Sequence, residues 1–320
     1  MAGNKAQPYD TSHNYGSIIK LFTQKYKMRH HALIYGCVRH FSVPVKSDVV
    51  SCGTFVYTYY ICGGVFVSES ISDVRERFSH VDVEHIPDFI KSIEGDSRKG
   101  VLNILRMAEK KYKAHIDELN RIASLSVYEN ECRRKGFKLI AGVDEVGRGP
   151  LAGPVVTAAV ILKENCLIEG INDSKKLTAK KREELFEIII NEAVSYSFGV
   201  VTSDEIDSIN ILQATLKAMK QAINGLGVKP DFVLADAVTI PNIDMPQQGI
   251  IKGDAKSLSI GAASIIAKVY RDRMMTEYSQ IYPEYGFDEN KGYGSKYHIE
   301  AIKKYGPCPI HRKSFLKNFV

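Results

Sequence analysis

The chain has 320 residues, a formal net charge of +6 at pH 7 and a sequence pI of about 8.8. This length exceeds one typical domain and can bury a substantial core, while the small basic excess permits a polyanionic partner without requiring one. The six cysteines are scattered and form no Cys-x-x-Cys pair. They argue against a zinc site or a disulfide framework and favour reduced thiols in the cytoplasm.

The first 70 residues show no clear helical period. Within them, residues 49–67 are uncharged and rich in Val, Tyr, Phe and Thr. That composition favours strand over helix and is weakly hydrophobic for a membrane span, and no secretory signal pattern precedes it. We therefore expect no membrane association and leave residues 1–70 unassigned.

Residues 71–136 are predicted to form a helical segment. Apolar side chains recur there at spacings of three and four and lay a stripe along one helix face, namely Leu105, Ala108, Tyr112, Ile116, Leu119 and Ile122. Asp96 or Ser97 can cap the start and Gly136 can end the segment. Residues 97–113 carry six basic side chains against one acidic side chain. Such a run is either a solvated face or a contact to a polyanion.

Residues 137–320 alternate strand and helix patterns, which predicts an α/β domain with a mixed central sheet flanked by helices. The predicted strands are 138–144, 155–162, 196–202 and 232–236, and the predicted helices are 180–193, 209–224 and 257–278. In such sheets, ligands gather beyond the carboxyl ends of the strands. Asp144 and Asp236 both fall at such ends.

Two adjacent carboxylates, Asp144 and Glu145, stand at the end of the first strand and are followed by the turn Gly147-Arg148-Gly149. Side chains on a strand alternate between faces, so the two carboxylates can share a metal cluster only where the strand ends or twists. Carboxylate oxygens suit Mg²⁺, and two ions about 4 Å apart can hold an in-line phosphoryl displacement. The Arg148 fork matches a phosphate, and the glycines let a polynucleotide backbone come close. The combination predicts cleavage of nucleic acid.

Further carboxylates follow downstream. Asp236 closes an apolar strand, where a carboxylate is costly unless it is paired or metal-bound. For a fourth carboxylate, Ser264, Lys268 and Asp272 are spaced by four and share one helix face, which would deliver Asp272 to the cluster. Asp254, in a Lys-Gly-Asp loop, is the rival, although it also fits a loop-capping residue. We favour Asp272 and keep Asp254 as the alternative.

These residues resemble the signature of ribonuclease HII, the type 2 ribonuclease H. Beyond residues 140–154, the resemblance extends through six ordered segments, which are 172–177, 234–236, 252–257, 262–273, 292–294 and 311–315. It covers residues 137–317 strongly and residues 70–136 more loosely, where the chain looks like the N-terminal extension of Firmicutes-type enzymes. The sister family, ribonuclease HIII, typically has Lys in place of Arg148, so Arg148 favours ribonuclease HII.

The resemblance implies a ribonuclease H-like fold and an endoribonuclease that hydrolyses RNA in RNA/DNA hybrids. It also implies incision of duplex DNA on the 5′ side of an embedded ribonucleotide, with 3′-hydroxyl and 5′-phosphate products. Two Mg²⁺ or Mn²⁺ ions would be held by four carboxylates, which are Asp144, Glu145, Asp236 and Asp272. A ribonuclease HIII-like hybrid nuclease and a noncatalytic nucleic-acid-binding module are the alternatives.

The resemblance also implies which residues contact the substrate. Tyr293, between two glycines, would sense the sugar at the junction between ribonucleotide and deoxyribonucleotide, together with the Gly-Arg-Gly turn. His311 and Arg312 could contact phosphate, and Lys175 is a weaker candidate. The full expected set of substrate-binding residues is Gly147, Arg148, Gly149, Lys175, Tyr293, His311 and Arg312.

The family's extension typically begins near residues 70–73 of this sequence. We therefore expect residues 1–70 to lie outside the functional enzyme, as a disordered or non-native segment from a start site placed too far upstream, with Val67 as the true initiator. A genuine additional module is the alternative. The basic run 97–113 becomes a candidate auxiliary duplex contact. We further expect a cytoplasmic monomer with roles in ribonucleotide excision and RNA primer removal.

Overall fold

The structure is a computed structural model that describes residues 69–317. The uncharged segment 49–67 and the question of whether residues 1–68 belong to the functional enzyme lie outside the described residues. Within residues 69–317, every helix is too short or too polar to cross a lipid bilayer.

The N-terminal part is helical, as predicted. Its helices are α1 (Ile71–His80), α2 (Ile86–Ser92), α3 (Lys99–Leu125) and α4 (Val127–Arg134). Ser70 and Asp73 form a capping box at the start of α1. Asp96 does not cap α3, because its carboxylate binds Arg98 instead. The long helix also ends earlier than Gly136, at a break around Ser126.

The sheet is mixed. Within residues 69–317 its strands are β1 (Ile140–Val146), β2 (Val155–Leu162), β3 (Ala193–Val201), β4 (Phe232–Asp236) and β5 (Gln247–Ile250). Their order is β3-β2-β1-β4-β5, with β1 antiparallel to β2, β2 antiparallel to β3, and β4 parallel to both β1 and β5. The short edge strand β5 escaped the sequence prediction, because it contains two glutamines and a glycine and buries only Ile250.

Helices cover both faces of the sheet. In the catalytic part these are α5 (Ala179–Glu192), α6 (Ser203–Ile209), α7 (Ile211–Asn224), α8 (Leu258–Ile281), α9 (Phe287–Asn290) and α10 (Lys296–Tyr305). Helix α7 packs on one face, and α5 and α8 pack on the other. The predicted helix 209–224 is split at Asn210, whose side chain caps α7. The expected fold class, a mixed sheet flanked by helices with a helical N-terminal extension, is confirmed.

Helix α8 approaches the sheet closely. A Cβ atom added at Gly142 of β1 would lie 2.1 Å from the backbone carbonyl carbon of Ser259. Gly142 therefore permits a backbone contact that any larger residue would prevent. The segment entering α8 is also held by Glu129 of α4, whose buried carboxylate accepts hydrogen bonds from Ser257 Oγ and the Ser259 amide at 2.6 and 2.9 Å. This contact joins the helical extension to the catalytic part.

Candidate active site

Asp144 and Asp236 are neighbours at the carboxyl ends of two adjacent parallel strands. Val143 of β1 is in register with Ala235 of β4, so an aspartate follows on each strand. Asp144 is only 5% exposed. Asp236 Oδ1 accepts a hydrogen bond from the Gly253 amide at 2.7 Å. The sheet topology therefore brings together two carboxylates that are 92 residues apart in sequence.

Negative charge is crowded at this edge of the sheet. Burial raises the pKa of Asp144 well above its ordinary value, and the charges of Glu145 and Asp236 raise it further, against a hydrogen bond from Ser264. Burial also raises the pKa of Glu145, while the nearby Arg148 guanidinium lowers it. Asp144 thus lacks the solvation and the compensating charge that would stabilise its ionised form, whereas Glu145 lacks the solvation but has the Arg148 guanidinium nearby.

Two buried oxygens at this site have no hydrogen-bond partner among residues 69–317. They are Oε2 of Glu145 and the hydroxyl of Thr157. The two residues are directly opposite each other on β1 and β2, so their side chains share one face of the sheet. An unpaired carboxylate oxygen beside carboxyl groups with raised pKa values fits a hard divalent cation, which prefers oxygen ligands and would offset the charge repulsion.

The carboxylates are not yet arranged around a common point. Among residues 69–317, no three acidic, His or Cys side chains lie close enough together to hold a metal ion. Glu145 Oε1 is instead 3.2 Å from Arg148 Nη1. Cation binding would thus require side-chain rotation, for which the exposed Arg148 offers no steric barrier.

Asp254 belongs to the same acidic group. It lies in the 3₁₀ turn Gly253–Ala255, whose first amide bonds to Asp236. Burial raises the pKa of Asp254, and the charges of Asp173 and Asp236 raise it further. The alternative fourth carboxylate therefore faces the cluster.

Asp272, the favoured fourth carboxylate, is placed differently. Helix α8 packs against β1, with Ser259 next to Gly142, and Ser264 of that helix partly offsets the raised pKa of Asp144. Asp272 is two helical turns farther along, about 12 Å beyond Ser264. Its carboxylate is 2.7 Å from Lys268 Nζ and 3.8 Å from Arg182 Nη2. The shared helix face is thus as expected, but it carries Asp272 past the cluster, and the structure favours Asp254.

The Gly-Arg-Gly turn and Tyr293 form one surface beside the carboxylates. Gly147 has a φ of 90°, and a Cβ atom there would lie 2.3 Å from Arg271 Nε, so glycine is required. A Cβ atom at Gly149 would lie 3.9 Å from the Tyr293 ring, which is 45% exposed. Arg148 is also exposed. The structure therefore brings the predicted phosphate contact and the predicted sugar contact together.

Arg312 is not available to contact phosphate, because it is fully buried. Its guanidinium donates to the carbonyl oxygens of Gly147, Arg148 and Gly153, including a 2.9 Å bond to Arg148 O. Burial and the nearby Arg271 together lower the pKa of Arg312 to about 9, so the group stays charged at neutral pH. The expected phosphate contact is therefore corrected: Arg312 shapes the turn that carries Arg148.

His311 requires the same correction, since it is only 1% exposed and its ring nitrogens bond to Cys308 and His298. Sequence reasoning also missed Arg271, which is fully buried and donates to the carbonyls of Ala152, Pro154 and Lys291. Its only signal in the sequence was a basic residue next to Asp272, which the neighbouring Arg273 also offers. Hydrogen bonds from a side chain to backbone carbonyls that are distant in the chain leave no local pattern in the sequence.

Lys175 lies near the acidic group. Its side chain is exposed, and its charge acts on Asp254 to lower that pKa. The preceding Ser174 hydroxyl is 3.1 Å from the Ser264 hydroxyl. This loop therefore borders the site, where an exposed ammonium group can meet a polyanion.

Replacing Arg312 with lysine tests its role in shaping the turn. A single ammonium group at this position cannot reach three carbonyl groups at once, so some buried acceptors lose their partners. We expect Arg312→Lys to lower Tm by roughly 5–10 °C, measured by circular dichroism. Arg273→Lys, at an exposed ion pair with Glu183, is the matched control and should change Tm by less than about 2 °C. Equal melting of both variants would contradict the role.

Comparison with known proteins agrees with this geometry. The family model for ribonuclease HII matches residues 141–318, and that for the ribonuclease HII N-terminal domain matches residues 70–133. The chain belongs to the ribonuclease HII family. Ribonuclease HII of Clostridioides difficile is 51% identical over 252 residues, which are 79% of this chain and 99% of that protein.

Ribonuclease HII of Bacillus subtilis is 50% identical over 246 residues, covering 77% of this chain and 96% of that protein. A solved ribonuclease H2 from Pyrococcus horikoshii has 34% identity and a TM-score of 0.47, covering 55% of this chain and 92% of its own. The expected family is thus confirmed, in preference to ribonuclease HIII. As a ribonuclease HII, the protein is an endoribonuclease of the ribonuclease H class, which acts on RNA/DNA hybrids.

Proposed function

We propose that this ribonuclease HII incises duplex DNA on the 5′ side of a single embedded ribonucleotide, in addition to hydrolysing the RNA strand of hybrids. The observation that carries the proposal is the position of the acidic group next to a surface made by the Gly-Arg-Gly turn and Tyr293. One side of the site can hold cations, and the other can meet the sugar-phosphate backbone. The products would carry 3′-hydroxyl and 5′-phosphate ends.

The residues that would hold two Mg²⁺ or Mn²⁺ ions are Asp144, Glu145, Asp236 and Asp254. When bound, the ions supply an activated water molecule and stabilise the leaving 3′ oxygen. The hydrogen bond from the Gly253 amide orients Asp236, and Ser264 beside the buried Asp144 favours its ionised form. Asp272 remains the alternative fourth ligand. Its carboxylate is already paired with Lys268 and Arg182, which weakens its affinity for a metal cation.

Arg148 would hold a phosphate of the cleaved strand. In the structure its guanidinium contacts Glu145, whose pKa it lowers. Once Glu145 turns to a cation, the guanidinium is released toward the substrate, where its planar fork can pair with two phosphate oxygens. Cation binding and phosphate binding would therefore support each other.

The 2′-hydroxyl would be read by the backbone of residues 147–149, which is the nearest fixed set of donors and acceptors to Asp144. A site built to hydrogen-bond a hydroxyl discriminates strongly against its absence, because the polar groups of the site are then left unpaired. Tyr293 would pack against the next sugar on the 3′ side, accepting deoxyribose and crowding a second 2′-hydroxyl. The two elements together would select the junction.

The wider role we propose is ribonucleotide excision and RNA primer removal by a cytoplasmic monomer. The basic run 97–113 supports a duplex contact outside the active site, since Arg106, Lys110 and Lys113 are all exposed on α3. Their spacing of three and four places them along one side of that helix. Each phosphate contact of this kind would increase the salt dependence of binding.

Incision of one duplex with a single ribonucleotide, compared with an all-RNA hybrid in Mg²⁺ and in Mn²⁺, tests the proposal. We expect a nick on the 5′ side of the ribonucleotide with either ion, and ligation-competent ends. Cleavage of the hybrid with no incision of the single-ribonucleotide duplex would instead indicate an activity like that expected of ribonuclease HIII.

Tyr293→Ala should depress incision at a single ribonucleotide by at least about tenfold and leave binding to the same duplex within about threefold, because stacking on one ring is worth about 1–3 kcal/mol. Arg148→Ala should weaken both incision and binding, since it also removes a phosphate contact. Single-turnover incision and fluorescence anisotropy measure the two quantities. Tyr297→Ala, at another exposed tyrosine, serves as the control. Incision by Tyr293→Ala at the wild-type rate would refute the junction-sensing role.

A further inference from the structure

A chain of buried hydrogen bonds ends at the backbone of Tyr293. The Cys308 amide lies 2.9 Å from His311 Nδ1, and Nε2 of His311 lies 3.0 Å from Nε2 of His298. Nδ1 of His298 lies 2.8 Å from the carbonyl oxygen of Tyr293. Four residues therefore connect the C-terminal segment to the residue that would test the sugar.

The chemistry of these atoms fixes the direction of every bond. A backbone amide can only donate, so His311 Nδ1 accepts from Cys308 and the proton of His311 resides on Nε2. That proton is donated to His298 Nε2, which leaves the proton of His298 on Nδ1. Nδ1 then donates to Tyr293 O. Nδ1 of His311 also lies 3.1 Å from Cys308 Sγ and 3.3 Å from Cys308 O, but its contact with the Cys308 amide is the shortest. The arrangement gives every ring nitrogen a partner and requires both imidazoles to be neutral.

The surroundings keep both rings neutral. His298 is fully buried and His311 is 1% exposed. Burial lowers the pKa of His298, and burial together with the neighbouring His298 ring lowers the pKa of His311 to about 4. The aromatic rings of Tyr285 and Phe287 pack against the pair, with centroids 4.8 Å from His311 and 5.3 Å from His298, respectively. A protonated ring would place two N–H groups against each other.

The same segment also reaches the other half of the substrate surface. His311 precedes Arg312, which holds the Gly-Arg-Gly turn, and His311 forms a β-bridge with Ala152. Gly292, next to Tyr293, accepts a 2.8 Å hydrogen bond from the Leu151 amide. The distance between the turn and Tyr293 is thus set by buried bonds rather than by the exposed ring itself.

We propose that His298 and His311 are positioning residues for junction selectivity: their hydrogen-bond relay fixes the Tyr293 backbone, and hence its ring, relative to the Gly-Arg-Gly turn. The inference rests on the role proposed above for Tyr293. It predicts that the preference between substrates changes whenever the N–H donated to Tyr293 O is lost, either directly at His298 or because His311 no longer holds the His298 proton on Nδ1.

Substituting His298 with asparagine or with glutamine separates its two hydrogen bonds, one to Tyr293 O and one to His311. Asn places its amide near Nδ1 of the imidazole, so His298→Asn keeps the bond to Tyr293 O and loses His311. Gln places its amide near Nε2, so His298→Gln keeps His311 and loses Tyr293. Each variant loses one buried bond, which makes them a matched pair for stability.

The measured quantity is the ratio of kcat/KM for a single-ribonucleotide duplex to that for an all-RNA hybrid. We expect His298→Gln to lower this ratio by about tenfold or more, because small misplacements of a positioning group are costly. His298→Asn should keep the ratio within about threefold of wild type, which is rescue by the variant that retains the Tyr293 bond. Thermal unfolding shows whether the two variants are equally folded.

A second pair at His311 covers the case in which neither His298 variant folds. His311→Gln keeps a bond to His298 Nε2 and should keep the ratio. His311→Asn leaves His298 free to move its proton from Nδ1 to Nε2, which removes the N–H donated to Tyr293 O, and should lower the ratio. Equal ratios within both pairs would overturn the inference. If Tyr293→Ala itself left the ratio unchanged, the proposed role of Tyr293 would fail instead, and the two failures are thereby distinguished.

Discussion

Asp144→Asn should reduce cleavage by at least about a thousandfold in kcat, because loss of one anionic ligand acts directly on the reacting phosphate. Binding to the duplex should persist, since phosphate contacts from Lys and Arg are unaffected. Single-turnover cleavage and anisotropy in Mg²⁺ measure the two effects. Cleavage within tenfold of wild type would refute the ligand role of Asp144.

The same substitution should stabilise the metal-free protein. The pKa of Asp144 is raised above 3.8 by burial and by Glu145 and Asp236. A carboxyl group with a raised folded-state pKa contributes stability that is complete below its unfolded pKa and is lost as the pH rises through the folded value. Asparagine does not ionise, so the variant avoids this loss of stability at high pH. It should melt roughly 2–4 °C higher than wild type at pH 8 in EDTA.

The pH dependence of that difference provides the control. At pH 4 and below, Asp144 is protonated in the folded wild type, and the advantage of Asp144→Asn should vanish. Asp288→Asn, at an exposed hydrogen bond with Ser279, should melt like wild type at pH 8. A variant that is less stable than wild type at pH 8 without metal would show that Asp144 is already compensated inside the protein.

Asp254→Asn should cost at least about a hundredfold in turnover, and Asp272→Asn less than about tenfold. Asp254 faces Asp236 across a turn whose amide binds that aspartate, while Asp272 is paired with Lys268 and Arg182. A lost ligand acts on the transition state. Loss of the Asp272 ion pairs on α8 instead lowers mainly the stability of the folded protein.

Activity at a temperature well below both melting points, together with Tm, separates these two causes. Asp272→Asn should lower Tm, because it leaves Lys268 partly buried without its carboxylate partner. Isothermal titration with Mn²⁺ should show weaker binding for Asp254→Asn alone. The reverse ranking of turnover at equal stability would return the fourth ligand to Asp272.

Much of the catalytic part could be predicted from the sequence because its signals are local. Strands β2 and β4 match their predicted bounds, since each is a continuous apolar run. The position of Asp236 at the end of β4 follows from the same run, whereas β1 continues two residues beyond Asp144, to Val146. The edge strand β5 could not be found in this way, because its residues are polar and its pairing with β4 is made only in the folded sheet.

The sequence by itself determined the family, the acidic residues of strands β1 and β4, and the Gly-Arg-Gly turn, because each is a contiguous pattern. We propose Asp254 over Asp272 because the tertiary structure places Asp254 in the turn that binds Asp236 and pairs Asp272 with Lys268 and Arg182. A spacing of four shows which residues share a helix face, but how far along the sheet that face lies depends on how α8 packs against Gly142. Likewise, only folding buries Arg312 and His311, because their partners are backbone carbonyls and ring nitrogens from distant segments, which carry no mark in the sequence.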